Sequence, residues 1–342
     1  ALRRQFDGRS GRGSLFHEPS NKTGARIPMT EEQFQEWLAG TMPLDDQLQV
    51  TDEEARERFN RLVKMEMSDY NRAPGIRSST LKHRTPKAMR HAFFTEDGPN
   101  YALSLGSLVH MAVLEPDKYD TVDGLEECFV YAPGKTLSSD AAYKAWLTDP
   151  SKIMITPEMK EKADLMRDEI FAHPFADSLF RVRGKRELSG FAWSSNSRCI
   201  LKARFDFLPD DSDYIPDIKT TTSIEERSFW FDCVKFGYHA SAAQYMDIAH
   251  QLEGKPRRQF FIVAVEGPKG PTQGPRDEPY DCAVYELNCM EPSLVQKGRE
   301  IYRNRLAKFV HSARTGSWTG AAEDHELGYQ QFCAEPPFSR VS

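Results

Sequence analysis

The stretch "DYIPDIKTTTS", residues 213–223, decides how this chain is read. It is apolar enough for a strand, and a strand sends alternate side chains to opposite faces. Asp217 and Lys219 therefore share one face while Ile218 points to the other. A lone D-x-K pair is more often a salt bridge than an active site, so the neighbouring strands have to decide.

The preceding strand, "CILKARFDFLPDD" at 199–211, alternates Leu201, Ala203, Phe205 and Phe207 with Lys202, Arg204 and Asp206. The pattern predicts one core face and one charged face. A carboxylate in mid-strand among apolar residues is costly unless it is paired or holds a cation. If the two strands pair antiparallel through a turn near 209–213, Asp206 and Asp217 fall on the same face. Two such carboxylates repel, and a divalent ion holds both ionised. Hard oxygen ligands suit Mg²⁺, with Mn²⁺ as a substitute. Glu187, in "GKRELSGFAW", adds a third carboxylate on the strand before. The Lys219 ammonium would then reach a metal-bound water or a scissile phosphate. The alternative is a surface lattice of salt bridges.

Around this centre the pattern predicts a mixed α/β fold. Thr30 with Gln33 and Thr51 with Glu54 have capping-box spacing, and the second predicted helix runs to about Asn71 before Pro74-Gly75. Helices are expected at 101–114, 139–148 and 157–172. A three-strand meander follows at 185–193, 198–208 and 213–220, then helices at 224–236 and 238–252. Strands at 258–266 and 280–287 and a last helix at 291–313 complete a sheet flanked by helices. Residues 1–28 are polar and Gly/Arg-rich and read as an arm; 267–279 reads as a Pro/Gly-rich surface loop. On 101–114, His110 sits at the margin of the apolar stripe. By itself such a histidine is more often a packed helix-edge residue than a ligand.

The chain of 342 residues carries a net charge of −6 and no apolar run long enough to span a membrane. The N-terminus shows no apolar middle of a secretory signal. Its six cysteines (128, 199, 233, 282, 289 and 333) contain no C-x-x-C pair, which reads as reduced thiols of a cytoplasmic protein rather than a zinc or iron–sulfur site. The charge is unevenly spread. Residues 70–95 hold Arg72, Arg77, Lys82, Arg84, Lys87 and Arg90 with no acid; a second cluster lies at 181–186 and a third along 297–308. Such strips in an acidic chain are compatible with phosphate binding or with ordinary solvated helix faces.

The series Glu187, Asp206, Asp217-x-Lys219, with a proline before the second Asp and threonines after the Lys, resembles the PDDEXK nuclease core. More narrowly it resembles the RecE-type exonucleases (exonuclease VIII) of the RecB-like branch. "GIRSSTLKHRTPKAM" (75–89), "GSLVHMAVLEPDKY" (106–119), "ELSGFAW" and "KFGYHASAAQYMDIA" follow that family's motifs in order. The resemblance spans about 74–310 and implies a PDDEXK domain over 74–342, with extra N-terminal helices of unknown role in 1–73. It implies that His110, Asp206, Asp217 and the Ile218 main-chain carbonyl bind metal, that Lys219 is catalytic and that Glu187 assists. One departure is Ser241, which stands where the RecB-like pattern has the Gln of Q-x-x-x-Y. Tyr245 fits that pattern, and Gln244 is the nearest replacement on the helix. Arg77, Ser79, Lys82 and Arg84 are the other expected DNA contacts, and Ser78, Ser79, Thr80 and Lys82 a candidate holder of a terminal phosphate.

The resemblance further implies a 5′-to-3′ exonuclease on double-stranded DNA ends. The product is a 3′ single-stranded tail for a RecT-type annealing protein in a bacterial or phage-infected cell. It also implies a ring-shaped homo-oligomer, a tetramer favoured, in which basic strips line the channel and the outside stays acidic. Three rivals are an endonuclease on the same core, an inactive module that binds DNA or a partner, and a helicase- or CRISPR-linked nuclease with a cysteine-bound cluster.

Overall fold

Both capping boxes start helices. The computed structural model describes residues 29–43, 50–95, 100–133, 137–149, 152–268, 280–287 and 293–320. The arm at 1–28, most of the 267–279 loop, Cys289 and Cys333 lie outside them. Thr30 caps α1 (Glu31–Thr41) and Thr51 caps α2 (Asp52–Phe59), each with its N3 side chain returning to the cap backbone. The second helix does not reach Asn71. It ends at Phe59, where Asn60 accepts a bond from the Trp193 backbone at 2.7 Å. Alternating Arg61–Lys64 becomes a strand, β1, and α3 (Met67–Arg72) follows. The free edge of a later strand offers β1 a ladder, and that outweighs helix continuation.

The short helices α4 (Ser78–Leu81) and α5 (Pro86–His91) lead to α6 (Tyr101–Leu114), as expected at 101–114. A small subassembly comes next: α7 (Pro116–Tyr119), α8 (Val122–Cys128), β2 (Phe129–Tyr131), α9 (Asp140–Thr148) and β3 (Ile153–Ile155), with β2 and β3 parallel. Then come α10 (Pro157–Ala172) and α11 (Pro174–Arg181). The central strands are β4 (Gly184–Ser194), β5 (Cys199–Pro209) and β6 (Tyr214–Thr221). Helices α12 (Glu226–Phe236) and α13 (Tyr238–Glu253) precede β7 (Gln259–Glu266), β8 (Cys282–Leu287) and α14 (Leu294–Thr315). Among the described residues no helix is long and apolar enough to cross a membrane.

The strands form an α/β architecture whose sheet divides in two. One half has the order β1-β4-β5, antiparallel throughout; the other has β6-β7-β8, with β6 parallel to β7 and β8 antiparallel. The expected meander is thus a β4–β5 hairpin only, because β6 ladders on β7 and not on β5. Alternate residues of β7 enter two cores. Phe260, Ile262 and Ala264 pack with α13, α14 and α1, whereas Phe261, Val263 and Val265 pack with α6, α10 and α11. At Gly298 a Cβ would fall 2.1 Å from the His239 carbonyl oxygen, so glycine lets α14 rest directly on α13.

Two expectations about β5 change. Phe205 lies in the first core but Phe207 in the second, so the strand turns over between them. The charged row is also buried rather than solvated: Lys202 is 1% exposed, Arg204 9% and Asp206 8%. Lys202 donates to the backbone carbonyls of Tyr70 (2.7 Å), Asn71 (3.3 Å) and Ala73. Packing therefore runs without a break across the expected boundary at 73/74. Replacing Lys202 with Met keeps the stem but strands those carbonyls, and is expected to cost about 3 kcal/mol in urea unfolding. A loss under about 1 kcal/mol would show that water replaces the ammonium.

Candidate metal centre

The division between β5 and β6 creates the site. Where a ladder would run, the Asp206 carboxylate reaches across and accepts the Ile218 N–H at 2.7 Å. The Ile218 carbonyl accepts from His110 Nε2 at 3.0 Å and from Lys219 Nζ at 3.1 Å. His110 Nδ1 lies 3.5 Å from Asp206 Oδ1. Helix α6 delivers His110 through its apolar stripe, buried at Leu105, Leu108, Val109 and Ala112. Gly106 is one turn before His110, and a Cβ there would touch Thr220 of β6.

Glu187 arrives by a different route. Its φ of +52° puts a non-glycine residue in the left-handed region. The β4–β5 register passes from Arg186↔Phe207 to Leu188↔Phe205 around it. The local kink turns the side chain into the site, where Arg204 donates to it. Ligand atoms of His110, Glu187 and Asp206 lie within 4.8 Å of one another. Asp217, expected among the metal ligands, does not join these three. It is ion-paired with Lys219, the nearest cation on its own face. The Lys219 ammonium also lies 5.6 Å from the centre of the Tyr238 ring.

Electrostatics follow from crowding three carboxylates in a buried place. Burial lowers the His110 pKa, but the Asp206 charge and hydrogen bond outweigh it and raise it to about 9. Burial would raise Asp206; His110, Lys219 and the Ile218 N–H draw it below the usual carboxylate range instead. Burial pushes Glu187 up against the pull of Arg204. Lys219, lowered by burial but raised more by Asp217 and Asp206, stays protonated far above neutral pH. His110, Lys219 and Arg204 thus face the acids from three sides. A donor set of two carboxylates and an imidazole, with the Ile218 carbonyl at its edge, fits a hard divalent cation in the same role.

The expected DNA contacts separate. Gln244 is fully buried and donates to the Ile76 carbonyl at 3.0 Å, so it ties α13 to residue 76 and does not reach a ligand. Tyr245 is half-buried, stacks edge-on to Phe205 and hydrogen-bonds Ser78, close to Asp206 and Asp217. Arg77 donates to Asn71, Ser79 is half-buried and Thr80 is 2% exposed. Lys82 and Arg84 are exposed on the same segment. Many of the other basic residues act within the fold. Arg299 and Arg303 pair with Asp247, Arg305 donates to the Leu81 carbonyl, Arg181 pairs with Asp177 and Arg183 with Asp210.

Sequence reasoning passed over Arg204 as a functional residue. The signal was present, since a cation two positions before Asp206 on a strand shares its face. Tyr238 was missed as well, and its place beside Lys219 depends on the left-handed Gly237 between α12 and α13.

A centre of this kind is expected to bind Mn²⁺ in the absence of any substrate. At 100-fold excess over its dissociation constant the ion would stabilise the fold by about 2.7 kcal/mol, seen as a rise in Tm. Asp206→Asn should abolish the rise. An equal rise in that variant would place the ion elsewhere.

One comparison with known proteins bears on the family. No match is found among curated proteins. Among solved structures, that of a candidate exonuclease from Eubacterium rectale aligns with a TM-score of 0.49 and 13% identity, over 84% of this chain and 96% of that one. A family model described as a PDDEXK-like domain of unknown function matches residues 83–330, a span containing His110, Glu187, Asp206, Asp217 and Lys219. The chain belongs to that family, the PDDEXK-like domain DUF3799.

Proposed function

We propose that this protein is a Mg²⁺-dependent nuclease that degrades double-stranded DNA from its ends in the 5′-to-3′ direction. The observation that carries the reading is the convergence of His110, Glu187 and Asp206 beside the Asp217–Lys219 pair, at the break between β5 and β6. A divalent ion bound there supplies a water of lowered pKa and neutralises phosphate charge. The chain's own groups do the rest. Lys219 offers a proton donor and a fixed positive charge to a phosphoryl oxygen, and Asp217 keeps that ammonium aimed. Asp206 holds the Ile218 N–H, and with it the position of both neighbours. Lys82 and Arg84 are exposed on the segment tied to the site through Ser78 and Tyr245, which supports a phosphate-backbone contact there.

The finer features rest on the motif resemblance: RecE type, release of mononucleotides, a ring-shaped homo-oligomer and delivery of a 3′ tail to an annealing protein. Lys82, Arg84 and Lys87 are exposed, which supports the 82–87 segment as a candidate for lining a channel.

A linear duplex labelled at one 5′ end, run beside a closed circle with Mg²⁺ or with EDTA, tests the reading. Early release of labelled mononucleotide from linear DNA alone, lost in EDTA, is the expected result. Lys219→Ala should reduce the rate by about 10²–10³-fold. Nicking of the circle would replace the exonuclease with an endonuclease. DNA binding with no cleavage of either substrate would leave a binding module.

A further inference from the structure

We propose that Arg204 is a positioning residue that fixes Glu187 for metal binding, and that the chain preceding the family domain supplies its anchor. The inference rests on the metal-site reading above. Arg204 Nε donates to the Glu187 carboxylate, while Nη1 of the same guanidinium donates to the Met65 carbonyl at 2.7 Å. Arg204 is 9% exposed and Glu187 8%. The planar fork thus spans two partners at fixed angles, one in the site and one in the turn between β1 and α3.

Glu187 needs such a device. Its left-handed backbone has no glycine to ease it. Strain of this kind persists only where surrounding contacts over-determine it. Lys64 at the end of β1 pairs with Leu188, next to Glu187, and its ammonium donates to the Arg186 carbonyl on the other side at 3.0 Å. Lys64 and Met65 both precede residues 83–330, the span of the family match. The β1–α3 segment is therefore part of the support of the metal centre, holding Glu187 from both flanks and through Arg204.

The test is Mn²⁺ binding without DNA, read from loss of the free-ion EPR signal, in wild type, Asp206→Asn, Glu187→Gln, Arg204→Lys and the Glu187→Gln/Arg204→Lys double variant. Lysine keeps the charge but reaches one partner at a time. Arg204→Lys should weaken Mn²⁺ binding by about 10-fold or more. In the Glu187→Gln background the same change should add nothing, because the arginine acts through that carboxylate. Arg204→Gln serves if Arg204→Lys melts below the assay temperature. Wild-type affinity in folded Arg204→Lys, with binding lost in Asp206→Asn, overturns the positioning role alone. An additive loss in the double variant overturns it too. If wild type takes up no Mn²⁺, the metal-site reading falls and the positioning role with it.

Discussion

One peptide group organises this molecule. The N–H of Ile218 is bonded to Asp206 and its carbonyl to His110 and Lys219. These groups are available because β5 does not ladder on β6, so the sheet parts there and a side chain takes the place of a backbone partner. The Ile218 side chain is fully buried in the core under α6, while Asp217 and Lys219 face the opposite side. A single residue therefore anchors β6 in one core and presents chemistry on both flanks. Had the ladder continued, the Asp206 carboxylate would have had no peptide to bind, and the charged groups no gap to occupy.

The second constraint is the cost of buried charge. Three alternating residues of β5 meet it in three ways. Lys202 is satisfied by carbonyls of the N-terminal segment, Arg204 by Glu187 and Met65, and Asp206 by Ile218 and His110. An apolar row would have been simpler to bury. What the charged row provides is a rigid line that runs from the N-terminal helices to the candidate metal centre, because a removed partner leaves a neighbour uncompensated. It also explains why the segment from Met65 through α3 belongs with the sheet: Met65, Tyr70, Asn71 and Ala73 provide the carbonyls that the cations need.

Much of the secondary structure was legible because local chemistry is strong in this chain. Capping boxes at Thr30 and Thr51, the apolar stripe of α6 and the β-rich runs at 185–208 and 258–266 led to elements close to those found. The misreadings share a cause. A four-residue strand, Arg61–Lys64, has too little pattern of its own and exists because β4 has a free edge. The turnover of β5 between Phe205 and Phe207 lies opposite the left-handed Glu187 of the neighbouring strand, which alternation in β5 cannot reveal. Gln244 was read as a DNA contact because it is the nearest glutamine to the Q-x-x-x-Y position that Ser241 occupies, yet the Ile76 carbonyl needs a donor inside.

By itself the sequence determined which residue types the site contains and which of them share a strand face. The spacing of Asp217 and Lys219 and the alternation around Asp206 follow from backbone geometry alone. Tertiary structure decided the rest. It chose His110, Glu187 and Asp206 as the convergent set, and it turned Asp217 to Lys219. It also enlisted Arg204 and a carbonyl from far earlier in the chain. Those choices depend on where β5 and β6 separate and on which cations burial brings within reach. Both are settled by packing between segments distant in sequence, and no local pattern encodes them.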